Sequence, residues 1–195
     1  LQMIGKIDEA AELYARALKY TKIEKSHDDL ETLSITANYA ILEQERGNFE
    51  NSAELHLEAL EGRTKKLGPN HNDTLRVLNN LAVLYCDLGE TEEAMGMFKR
   101  VMDGQKEILG STHIETLDTL SNMGILLKNE ANNEEAIEVY SELLAGQLEN
   151  LGEGHIDITH TQACLADLCR TQGRLEEAES LYVRALEGYT KFMEQ

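Results

Sequence analysis

The sequence predicts an all-α solenoid of antiparallel helix pairs, and three observations carry that prediction. The first is a period. His71, His113 and His155 lie 42 residues apart, as do Asn38, Asn80 and Asn122, then Leu42, Leu84, Leu126 and Leu168, and finally Gly62, Gly104, Gly146 and Gly188. A fixed repeat of roughly 20–50 residues means stacked supersecondary units that cannot bury their apolar faces alone. The second is periodicity inside the repeat. Ala10, Leu13, Tyr14, Ala17 and Leu18 form the i, i+3, i+4, i+7, i+8 stripe of an amphipathic helix. The third is composition: one proline, no tryptophan, 5% aromatic, 28% charged and 42% hydrophobic residues, which suits helices better than sheets.

Taken in order, residues 5–24 are half a unit, the first of five B helices. Its stripe returns 42 residues on as Ser52, Leu55, His56, Ala59 and Leu60. It returns again as Ala94, Met97, Phe98, Val101 and Met102, then as Ala136, Val139, Tyr140, Leu143 and Leu144. The last copy is Ala178, Leu181, Tyr182, Ala185 and Leu186. Four A helices are expected near 29–46, 71–88, 113–130 and 155–172. Their apolar positions are Leu33, Tyr39, Ala40, Leu42; Leu75, Leu78, Leu81, Ala82, Leu84; Leu117, Leu120, Met123, Leu126; and Leu165, Ala166, Leu168. Small residues at Ala40, Ala82, Gly124 and Ala166 are expected to let the paired B helix approach. The organisation is a single solenoid with a half repeat at 1–25 and repeats at 26–67, 68–109, 110–151 and 152–195. Leu1 falls inside a repeat, so the chain reads as part of a longer one.

The punctuation supports these boundaries. Asp28 with Glu31, Asn70 with Asp73, and Thr112 with Glu115 place a capping oxygen three residues before an acid, the capping-box spacing. Gly154 with Asp157 is expected to cap less well. His71, His113 and His155 are read as first-turn residues of the A helices. Gly47, Gly89 and Gly173, with Ala131 in the third copy, mark the A-to-B turns, and Gly68, Gly110 and Gly152 mark left-handed caps after the B helices. Glu92-Glu93, Glu134-Glu135 and Glu176-Glu177 sit where the positive end of the B-helix dipole favours negative charge.

The pattern LNNLAVLY…G…EEA…F in residues 78–98 resembles a tetratricopeptide repeat. The 42-residue period, the LG-x-x-H-x-x-T-L entry and the N-N-L-A core resemble the kinesin-light-chain subclass, over nearly the whole chain. The resemblance implies a right-handed superhelix whose A helices line a concave face that binds an extended or helical peptide.

Catalytic and metal chemistry are not expected. The three periodic histidines belong to separate layers about 8–10 Å apart, too far to share one ion with bonds of about 2 Å. Paired glutamates adjacent in sequence point away from each other on a helix. No nucleophile elbow or glycine-rich phosphate loop is present, so neither an enzyme nor a bound cofactor is expected. Cys86, Cys164 and Cys169 are odd in number and lack a C-x-x-C pair, which suits reduced thiols in a cytoplasmic or similar compartment. A net charge of −18 argues against nucleic acid and anionic membranes. No apolar run approaches the ~18 residues that span a bilayer.

Recognition is therefore expected on the A-helix face. Carried over by resemblance, its rows are Ser34, Arg76, Asp118, His160; Ala37, Asn79, Ser121, Ala163; Asn38, Asn80, Asn122, Cys164; Ile41, Val83, Ile125, Asp167; Gln44, Cys86, Lys128, Arg170; and Glu45, Asp87, Asn129, Thr171. Asparagine is unfavourable inside an exposed helix because it competes for backbone hydrogen bonds. Its threefold recurrence at Asn38, Asn80 and Asn122 leaves two readings: the amides bond neighbouring helices, or they bond a ligand's backbone. Layers about 10 Å apart match three residues of extended chain at about 3.3 Å each. Ile41, Val83 and Ile125 would then form an apolar floor, with Arg76, Asn79, Lys128 and Arg170 beside them.

Three positive residues (Arg76, Lys128, Arg170) face four negative ones (Glu45, Asp87, Asp118, Asp167). The carboxylate clamp of chaperone co-factors and the basic groove of kinesin light chains are thus not expected. The anticipated partner is a neutral or basic protein or peptide, steered by charge. The leading expectation is a non-catalytic interaction scaffold. The alternatives are a structural subunit of a large complex, contacting through helix ends and outer face, and the sensor region of a larger signalling protein.

Overall fold

The computed structural model describes residues 2–152 and 154–193, with side chains from Lys6 onward. Leu1, used above to place the chain's start inside a repeat, lies outside the described residues. Those described form nine helices and no strand: α1 (Gln2–Glu24), α2 (Leu30–Glu45), α3 (Phe49–Leu67), α4 (Asn72–Leu88), α5 (Thr91–Ile108), α6 (Ile114–Asn129), α7 (Asn133–Leu151), α8 (Ile156–Thr171) and α9 (Leu175–Met193). Even-numbered helices are the A helices, and their ends fall within a residue or so of the expected boundaries. The chain divides into two compact units, Leu1–Gly104 and Gln105–Gln195.

In the first unit, successive helices pack in pairs and α2 also touches α4. Leu18, Ala40 and Leu55 form one cluster with Ile35 and Tyr39. Ala37, Ala59 and Val77 form a second with Leu60, and Leu75, Leu78 and Val101 a third with Leu60 and Met97. The recurrent B-helix glycine is a packing requirement. A Cβ on Gly62 would lie 2.5 Å from Leu33, and one on Gly104 2.7 Å from Leu75. Both leucines are essentially buried, so neither has room to yield.

The second unit repeats the scheme with α6 on α7, α7 on α8 and α8 on α9. Leu117, Leu120, Met123, Leu126, Tyr140, Leu143, Leu165 and Leu168 are buried. A Cβ on Gly124 would meet the Tyr140 ring at 2.8 Å, and one on Gly146 would meet Leu117 at 2.5 Å. The small A-helix residue does admit a large B-helix side chain, as expected.

Three expectations need correction. The A helices are not capped by Asp28, Asn70 and Thr112. The cap lies one residue later, at Asp29, His71, His113 and His155, all with extended backbone. Each histidine accepts a backbone N–H through Nδ1: from Asp73 at 3.1 Å, Glu115 at 3.3 Å and Asp157 at 3.3 Å. An imidazole nitrogen satisfies the same orphan donor that an oxygen would. The periodic histidines are therefore caps rather than first-turn residues, and the fourth A helix is capped like the others.

Second, Gly68 (φ 95°, ψ 162°) and Gly152 (φ 78°, ψ 156°) have positive φ without the left-handed helical ψ. They occupy a region open essentially to glycine alone. Third, the B-helix stripe is not buried throughout. Leu13 is 63% and Leu186 67% exposed, because α1 and α9 each pack against one neighbouring helix and leave an outer flank uncovered.

Candidate functional site

In the first unit the A-helix face is built by α2 and α4. Asn38 is exposed and Asn80 half-buried, and Ile41 and Val83 beside them are half-buried. The side chains of Asn38 and Asn80 make no hydrogen bond to any described residue, whereas Asn79 does have a partner. Gln44 Nε2 donates to Asp87 Oδ2 at 2.6 Å, tying the ends of α2 and α4 together. Arg76 is held by Asp73, Nη2 to Oδ1 at 3.3 Å, so its charge is partly neutralised. Burial, then the Asp87 carboxylate, pushes the Cys86 thiol up and keeps it protonated.

In the second unit the face is built by α6 and α8. Asn122 is half-buried and, like its counterparts, makes no side-chain hydrogen bond to described residues. Ile125 is half exposed, and Lys128 is exposed on the same helix. Arg170 is engaged: its Nε lies 3.4 Å from Tyr182 Oη and its Nη2 3.7 Å from Asp167 Oδ1. Tyr182 Oη in turn donates to Asp167 Oδ1 at 2.5 Å. Of the three anticipated face cations, Arg76 and Arg170 are paired with acids of their own helices.

A second set of polar side chains, not singled out from sequence, lies deeper. The residue after the recurrent B-helix glycine is Arg63, Gln105, Gln147 or Tyr189. Arg63 is 3% exposed; its Nη1 donates to the Asp73 carbonyl at 2.9 Å and its Nη2 to Ser34 Oγ at 3.0 Å. Gln105 Oε1 accepts from Thr119 Oγ1 at 2.7 Å. Tyr189 Oη and His160 Nδ1 are 2.9 Å apart. Gln147 is 8% exposed, and its Oε1 is buried without a partner. The 42-residue register already marked this column: a polar side chain at every copy of a position otherwise embedded in core.

Among the described residues no three of His, Cys, Asp and Glu are placed to hold a metal ion. The three cysteines are unpaired, and among the described residues no helix is long and apolar enough to cross a membrane.

Residues 30–107 and 115–191 match the family model of the tetratricopeptide repeat. The solved structure of BtubC (BKLC) from P. vanneervenii is similar over 98% of this chain and 76% of its own, with a TM-score of 0.87 at 22% identity. A putative kinesin light chain from Podosopora anserina with nearly identical TPR-like repeats covers 100% of this chain and 92% of its own, with a TM-score of 0.83 at 22% identity. MamA is similar over 100% of this chain and 95% of its own, with a TM-score of 0.70 at 16% identity. No curated protein matches the sequence. At these identities the likeness is one of fold.

Proposed function

The chain belongs to the tetratricopeptide repeat family, in the kinesin-light-chain-like form of its all-α fold, and from that premise we infer a non-catalytic protein-interaction scaffold that binds partner segments on its A-helix faces. Asn38 and Asn80 serve the first unit and Asn122 the second, each bonding the backbone of a peptide or partner helix. Ile41, Val83 and Ile125 pack its side chains. One observation carries the reading: the three amides have no side-chain hydrogen bond to any described residue, although the repeat keeps placing them there. An amide serving only to stiffen neighbouring helices would be bonded to them. The unpaired thiols and the acidic surface suit a reducing intracellular compartment and a neutral or basic partner.

Asn80→Ala is expected to weaken capture of the partner by about tenfold, the loss of one or two ligand hydrogen bonds, while leaving Tm within a degree or two. Titration calorimetry alongside thermal unfolding checks this. A large drop in Tm with unchanged binding would return Asn80 to a structural role.

The assembly-subunit reading has its own support in the exposed apolar side chains Leu13, Tyr20 and Ile23 of α1 and Leu175, Val183 and Leu186 of α9. Hydrogen exchange with a bound partner separates the two: protection on α2, α4, α6 or α8 supports the face, and protection on α1 or α9 supports the ends.

A further inference from the structure

Positions 84 residues apart occupy the same place in the two units, and one such set differs in a telling way. In the first unit the junction of α2, α3 and α4 holds Ser34, Arg63, Asp73 and Arg76. In the second, the junction of α6, α7 and α8 holds Asp118, Gln147, Asp157 and His160. Arg63 fills its junction with its own guanidinium, bonded to Ser34 Oγ and the Asp73 carbonyl, with Nη1 3.6 Å from Asp73 Oδ1. Gln147 is shorter and neutral, and it leaves a cavity of ≈ 260 Å³ lined by Asp118, Ser121, Gln147, Asp157 and His160.

The junction cavity presents acceptors. Gln147 Oε1 is buried and unpartnered, and Asp118 and Asp157 line the same cavity. Among the described residues no lysine or arginine lines it, and the third titratable group facing it is His160, whose Nδ1 is engaged with Tyr189 Oη. Although much of Asp118 faces solvent, burial of its carboxyl, then the charges of Glu115 and Asp157, push its pKa upward. A bound cation relieves that crowding. A planar guanidinium fork suits two carboxylates and an amide oxygen better than a point charge does.

We propose that the cavity between α6, α7 and α8 receives an arginine side chain of the partner segment, whose guanidinium takes in trans the place that Arg63 takes within the chain between α2, α3 and α4. This rests on the A-helix-face reading above, since Asp118, Ser121 and His160 belong to that face.

The test titrates the full chain with Nα-acetyl-arginine N-methylamide and with its neutral citrulline counterpart, followed by amide and glutamine side-chain NMR. The Gln147 side chain and the amides of Asp118 and Asp157 are expected to shift saturably, with citrulline weaker by about tenfold. Asp118→Asn and Asp157→Asn are each expected to weaken the arginine probe several-fold. Gln147→Arg rebuilds the first unit's arrangement and is expected to keep the fold and abolish the shifts. Equal binding of citrulline, shifts spread evenly over surface carboxylates, or an unaltered titration in folded Gln147→Arg overturns the proposal. If the probe binds here but a partner protects α1 or α9, the face reading fails and the pocket stands. If a partner protects the A helices yet binds Gln147→Arg as it binds the wild type, the pocket fails and the face reading stands.

Discussion

The two units use one register of positions for different ends. At the first unit's junction, Arg63 is buried and bonded to Ser34 and Asp73; at the second, Gln147 leaves its oxygen unpartnered at a cavity that Asp118 and Asp157 also line. At the A-helix/B-helix contact, His56 is fully buried in the first unit where Tyr140 is buried in the second. At the turn, Gly47 (φ 79°) stands where the second unit has Ala131 (φ 55°). The lesson is that a repeat prescribes which positions are enclosed, while the side chain at each copy decides whether the enclosure is complete.

The largest effect expected from breaking this comparison is at His56. Both ring nitrogens are buried without partners, and burial lowers its pKa from 6.5 to about 4. The unfolded chain therefore takes up the proton first as pH falls. Stability is full above about pH 6.5 and declines toward pH 4, by about 3 kcal/mol at 1.36 kcal/mol per pKa unit. His56→Phe, which copies the ring at Phe98, is expected to flatten this dependence in denaturant titrations at pH 7, 5.5 and 4.5. An equally acid-sensitive variant would place the cause elsewhere.

Arg63→Gln makes the first junction resemble the second. It removes two hydrogen bonds and the ion pair with the half-exposed Asp73, at an expected cost of about 2 kcal/mol in urea unfolding. The same variant is expected to admit the arginine probe between α2, α3 and α4, a gain that a purely structural Arg63 would not predict. The smallest effect is at the turn. Alanine in the left-handed region costs about 1–2 kcal/mol relative to glycine, so Ala131→Gly is expected to stabilise the chain by about 1 kcal/mol, read as a rise in Tm.

Much of the fold was legible because repetition averages out local ambiguity. The A helices expected at 71–88 and 113–130 are found at Asn72–Leu88 and Ile114–Asn129. Asn70 and Thr112 have the preferred capping chemistry, yet the folded chain sets the His71 and His113 rings against the orphan N–H groups, which no local pattern specifies. The candidate face was legible as rows of residues. Its charge state was not: Arg76 and Arg170 are paired with Asp73 and Asp167, contacts that depend on rotamers.

By itself the sequence determined the repeat, the helix order and the enclosed positions, because 3.6-residue periodicity and a 42-residue register are properties of the chain taken one stretch at a time. Only the tertiary structure decided which buried polar atoms find partners. Hydrogen bonding depends on distances of about 3 Å between helices far apart in sequence, and there Nη1 and Nη2 of Arg63 reach acceptors while Oε1 of Gln147 finds no donor.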